Sequence, residues 1–116
     1  MIATRDAILA ADDLATSTVD TDEWGTVRIR TMTGVERDEF DAMIVSRKNA
    51  KGFNDPTEIR ARLVVLCAID ENGARLFKDE DIPQLQQKAA KPLGIVADKV
   101  AALNGLDGEE EAEKNS

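Results

Sequence analysis

The chain contains no histidine and no tyrosine, one cysteine and one tryptophan, and aromatics make up only 3 % of its 116 residues. Each scarcity removes a class of chemistry. Without histidine there is no imidazole base for nucleophilic catalysis and no imidazole ligand for zinc, and Cys67 alone cannot build a thiolate metal site. A single cysteine also excludes an internal disulfide. Neither common type of Gly-rich phosphate loop is present. No apolar run approaches the ~18 residues a membrane helix needs, and no signal peptide is visible, so a soluble, cytosolic protein is expected. Carboxylates and lysine are the only groups left for acid–base work. The inventory points away from an enzyme or a cofactor and toward a protein that binds other proteins.

Positive charge is scarce too. Fifteen Lys and Arg face 23 Asp and Glu, for a formal charge of -8. Residues 107–116 hold five acids and one base, so half of the net charge lies there and the other half is spread over residues 1–106. A mildly acidic body argues against the basic face expected of a nucleic-acid binder and against binding to anionic lipid. What the chain does have is 42 % hydrophobic residues, enough for one core. We expect a single domain over residues 1–106 and a flexible acidic tail over 107–116.

The hydrophobic pattern predicts an α+β fold, mostly helical, with four to five helices and one small antiparallel hairpin near the N-terminus. Thr4 can cap a short helix through Asp13, with Ile8 and Leu9 turned inward. In the stretch TSTVDTDEWGTVRIRTMT, Val27, Ile29 and Thr31 alternate with Arg28, Arg30 and Met32, the period of a half-buried strand. Glu23-Trp24-Gly25 forms the turn before it, and the polar segment ahead of the turn reads as an edge strand or extended arm. Thr33 and Glu36 make a capping box that opens a helix to about Arg47, with Phe40, Met43 and Ile44 as its apolar stripe. After a loop, RKNAKGFND, Asp55-Pro56-Thr57-Glu58 opens another helix. Ile59, Leu63, Leu66 and Cys67 share one face of it, although LVVLCAI also suits a buried strand. Asn72-Gly73 marks a turn, Arg75-Leu76-Phe77 a short extended piece, and Asp79 to Asp81 a helix start with Ile82 and Leu85 inward. Pro92 opens the last helix, whose stripe is Leu93, Val96, Val100 and Leu103. Asn104-Gly105-Leu106 stops it.

Four features carry a functional reading beside a plainer one. The basic stretch with Arg47, Lys48, Lys51 and Phe53 is an ordinary solvated loop or a partner site. Residues 42–62 hold five bases and two acids, against ten acids and four bases in residues 1–41, so the two regions permit head-to-tail self-association. Trp24 is a lid over the core or a binding anchor. Asp79-Glu80-Asp81 complements a helix dipole more readily than it binds metal. Cys67 reads as a packed small hydrophobe. With Arg47, Lys48, Lys51 and Phe53, the tail residues Glu109, Glu110 and Glu111 complete the candidate partner-binding set.

The order of segments resembles a known family. EWGTVRIRTMTGVERDEFDA is similar to the segment near the N-terminus of tail assembly chaperones of long-tailed bacteriophages. IRARLVVLCAIDENGARLFKDEDIPQLQQKAA resembles their central helix, turn and following helix, and VAALNGL the end of their last helix. MIVSRKNAKGFND matches no pattern of the family, so a role for it rests on its own residues. The resemblance implies a non-enzymatic assembly factor of the infected host cytoplasm that is not expected in the mature virion. It implies two partners, the tape measure protein, which such factors coat, and the tail tube protein, which they recruit. It further implies a longer form made by ribosomal frameshifting near the stop codon. Glu113-Lys114-Asn115 can be encoded as GAA AAA AAC, which contains the slippery sequence A AAA AAC. The alternative of another class is a structural phage protein, such as a head–tail connector or tail-completion subunit.

Overall fold

The computed structural model describes residues 2–51 and 55–106. A short helix α1 (Arg5–Ala10) leads to strands β1 (Thr16–Thr21) and β2 (Gly25–Arg30), then helices α2 (Gly34–Lys51) and α3 (Pro56–Cys67). A two-residue strand β3 (Ala68–Ile69) follows, then a 3-10 turn (Asp79–Asp81) running into α4 (Ile82–Gln86), and finally α5 (Ala90–Leu103). Over the described residues the fold is α+β with five helices, as the sequence predicts. No helix among the described residues is long and apolar enough to cross a membrane.

The helix starts are set by local side chains. Thr33 Oγ1 accepts the Glu36 N–H at 3.2 Å and Glu36 Oε1 accepts the Thr33 N–H at 2.9 Å, so the capping box forms as read. Asp55 Oδ1 accepts the N–H groups of Thr57 and Glu58 at 3.0 and 3.3 Å ahead of Pro56, which has no N–H to satisfy. In the hairpin, Thr21 Oγ1 accepts the Trp24 N–H at 2.8 Å and donates to the Gly25 carbonyl at 3.0 Å, while Gly25 takes φ of 79°. Gly105 takes φ of 75° and donates to the Ala102 carbonyl, ending α5, and Leu106 packs back against the core.

The sheet order is β1-β2-β3, antiparallel throughout. Val19 pairs with Val27 and Ser17 with Ile29, so these residues face the core, while Thr18 and Arg28 face away. Ala68 continues the inner row beside Ile29. Both readings of LVVLCAI are therefore partly right, with helix to Cys67 and strand from Ala68. Two residues are too few to show a period, and β3 exists because β2 offers it a partner. α3 is the hub. It packs against α5 and α4 and more lightly against α2, and α5 also reaches β1 and β2. Covered on several sides, α3 buries Ala61 and every residue from Leu63 to Cys67 rather than one stripe. Leu93, Val96, Ala97 and Val100 of α5 and Ile82 and Leu85 of α4 complete the core.

Three expectations fail. α1 does not run through Asp13 but ends at Ala10, where Ala11 is extended. Ile8 and Leu9 do not turn inward: α1 buries nothing, and these side chains are 58 % and 68 % exposed. Six residues with no neighbouring element to cover them have no core to face. The second helix does not stop near Arg47 but runs to Lys51, helped by the good helix formers Lys48, Ala50 and Lys51. Arg47, Lys48 and Lys51 thus belong to the last turns of α2 and not to a loop.

Candidate functional site

A chain of ion pairs locks the sheet to the helices. The two guanidinium nitrogens of Arg30 meet the two oxygens of Glu36 at 2.8 and 2.9 Å, a bidentate pair with both side chains nearly buried. Arg75 adds a contact to Glu36 Oε2 at 2.6 Å and another to Asp79 at 3.7 Å, and Arg62 reaches Asp79 at 3.3 Å. Arg30 holds the Glu36 carboxyl well below the usual carboxylate range. Burial opposes this, and the Thr33 N–H and Arg75 assist it. Asp81 accepts the Lys78 N–H at 2.8 Å. Asp79 is thereby occupied with ion pairing and Asp81 with capping. Among the described residues, no three His, Cys, Asp or Glu side chains come together as a metal would need.

Asn104 is a second tie. Its side-chain oxygen accepts the Met32 N–H at 2.8 Å, and its amide donates to the Val100 carbonyl at 2.9 Å and to Cys67 Sγ at 3.8 Å. One residue thus joins the end of α5, the exit of β2 and the end of α3. Burial pushes the Cys67 thiol up to about 11, so it stays protonated and inert at neutral pH.

Beside this ion-pair chain lies an apolar surface open to solvent. A groove of about 630 Å³ opens between the hairpin, the segment after β3 and α4. Trp24, Val27, Leu76, Phe77 and Leu85 line it, with Arg28, Asp70, Glu71 and Lys88 as its charged lining. Trp24 is half-buried against the core and also forms a wall of this groove, so it is lid and wall together. Leu76 is 49 % exposed there. An open apolar concavity of this size suits side chains of another polypeptide.

Arg47, Lys48 and Lys51 sit on α2, while Phe53, Glu109, Glu110 and Glu111 lie outside the described residues. Sequence reasoning missed Leu76, Phe77 and Lys88 as a surface. The one local signal was the short extended piece Arg75-Leu76-Phe77, whose apolar pair has no helix or long strand to bury it.

No family model and no curated protein sequence matches the chain. Among solved structures it is similar to one titled "Structure of bacteriophage HK97 tail assembly chaperone", with a TM-score of 0.58 and 15 % identity. The likeness covers 84 % of this chain and 90 % of that one. At that level of identity, what the two chains share is the fold.

Proposed function

We propose that the chain is a non-enzymatic tail assembly chaperone of a long-tailed phage. In this reading it works in the host cytoplasm, coats the tape measure protein and brings tail tube subunits to it. The supporting observation is the fold likeness over most of both chains. It is joined by an open apolar groove on an acidic surface, a combination suited to holding an aggregation-prone helical polypeptide in solution. Co-expression with the tape measure gene of the same phage is expected to raise soluble tape measure protein several-fold. A tape measure that stays insoluble would overturn the proposal. So would this chain at structural stoichiometry in purified virions, which would favour a connector or tail-completion subunit instead.

The proposal includes a longer product. A factor that must both cover one protein and recruit another gains from a second binding surface tethered to the first. Glu113-Lys114-Asn115 is one of the few residue triplets able to encode A AAA AAC. The native gene, expressed with an N-terminal tag, should yield a second, larger band whose sequence leaves this frame near residue 115. A Lys114 codon of AAG, or a Glu113 codon of GAG, would remove this slippery site, and one band with the downstream frame intact would rule the longer product out.

A further inference from the structure

Asparagine is followed by glycine twice in this chain, at Asn72-Gly73 and at Asn104-Gly105. Such a pair can react within itself. The glycine backbone nitrogen, on giving up its proton, attacks the side-chain carbonyl carbon of the asparagine. A new C–N bond closes a five-membered succinimide ring. The bond from that carbon to the amide nitrogen breaks, and the nitrogen takes up a proton and leaves as ammonia. One water then opens the ring at either carbonyl, giving aspartate or isoaspartate, and nothing is oxidised or reduced. Glycine permits the attack because it has no Cβ in the way. The asparagine side chain must also be free to swing toward that nitrogen, so the fold decides which pair reacts. The backbone does not separate the two pairs. Gly73 and Gly105 both take positive φ, 86° and 75°, and donate their N–H to the carbonyls of Asp70 at 3.1 Å and Ala102 at 3.2 Å. The side chains do separate them. Asn104 is half-buried and tied by its oxygen to the Met32 N–H and by its amide to the Val100 carbonyl and Cys67 Sγ. Turning it toward Gly105 breaks all three contacts and parts the end of α5 from β2 and α3. Asn72 is exposed, and no hydrogen bond holds its side chain among the described residues; only its backbone N–H is engaged, with Asp70 Oδ1 at 2.8 Å.

We propose that Asn72 is a site of spontaneous modification, converted through the succinimide to aspartate and isoaspartate, while the fold shields Asn104 from the same reaction. An exposed turn opens locally at small cost, which frees the Gly73 N–H for the attack. The product alters the turn that makes it. Asp70 Oδ1 pins that turn by accepting the N–H groups of Asn72 at 2.8 Å and Ala74 at 3.0 Å. A new carboxylate two residues away repels the Asp70 carboxylate, and isoaspartate adds a methylene to the main chain between the two pinned amides. The hold on Ala74 is thereby loosened. Asp70 and Glu71 line the apolar groove, so its rim gains negative charge and changes shape as the molecule ages. This inference stands apart from the proposed chaperone role and is tested without any phage partner.

The test uses the full chain, aged in warm, mildly alkaline buffer and peptide-mapped by mass spectrometry at intervals. The peptide holding Asn72 should gain the mass of an amide-to-acid conversion and split into aspartyl and isoaspartyl forms on chromatography. It should do so at least ~10-fold faster than the peptide holding Asn104, the ratio set by ~1.4 kcal/mol of extra barrier. In concentrated urea the two peptides should react at similar rates, because the difference lies in the fold and not in the dipeptide. Asn72→Gln, whose longer side chain would have to close a six-membered ring, should abolish the fast modification with the melting curve unchanged. In the aged, isolated isoaspartyl protein, hydrogen exchange at the Ala74 amide should be faster than in fresh protein. Equal rates at Asn72 and Asn104 in the folded chain would overturn the proposal, as would an Asn72 that stays intact folded while both react in urea. A rate difference that persists in urea would overturn the shielding of Asn104, and unchanged exchange at Ala74 would overturn the effect on the turn.

Discussion

Leu66→Ala is expected to cost ~2–5 kcal/mol of unfolding free energy, and Leu63→Ala a similar amount. Leu66 is 2 % exposed on the helix that packs against α5, α4 and, more lightly, α2. It belongs to one buried cluster with residues of the sheet, α4 and α5, elements that cannot all move inward to fill a hole. The loss combines burial lost, ~1.5–3 kcal/mol for a leucine, with the vacancy left among neighbours that keep their places. Urea melts at several temperatures give the comparison. Ile59→Ala, on the half-buried first turns of the same helix, is the control and should cost clearly less. A penalty below ~1 kcal/mol for Leu66→Ala would mean that α3 is not the centre of the core.

α3 was readable from the sequence because its determinants are local. Asp55 and Pro56 set its start, and the spacing of Leu63, Leu66 and Cys67 set one face. The same holds for the capping box at Thr33 and for the stripe of α5. What was not readable depends on distant partners. β3 exists because β2 has a free edge beside Ala68 and Ile69, which a two-residue segment cannot announce. α1 looked amphipathic, but nothing in its own residues says whether a body lies within reach to cover Ile8 and Leu9. The groove combines Trp24 with Leu76, Phe77 and Leu85, residues more than fifty positions apart, so it appears only once the hairpin and the 70–77 segment meet. The charge-based reading drew attention instead to Arg47, Lys48 and Lys51, because charge patterns are visible in sequence and concavity is not. Glu36 was read as a cap alone. Its partnership with Arg30 crosses a strand–helix junction and its partnership with Arg75 spans 39 positions.

Glu36→Gln is expected to destabilise the protein by ~3–5 kcal/mol at neutral pH, because it leaves the nearly buried Arg30 guanidinium without its counter-charge. The amide keeps the shape and one acceptor oxygen, so the Thr33 N–H can still be capped. What it cannot do is receive Arg30 through two charged oxygens while also holding Arg75 at 2.6 Å. The pH dependence separates this charge effect from mere misfit. The folded state holds the Glu36 carboxyl below its ordinary value, so the unfolded chain takes up this proton first on acidification. The stabilisation is therefore fully present above the unfolded glutamate value of ~4.3 and is lost as pH falls from there through the depressed folded value. Wild type and Glu36→Gln should differ by a constant amount from about pH 6 to 8 and converge steadily below about pH 4, as the wild type alone loses this contribution. Thermal melts across that range measure the gap. A gap that stays constant into strong acid would show that Glu36 acts through shape and hydrogen bonding alone, and that the ion-pair chain does not bind sheet to helices by its charge.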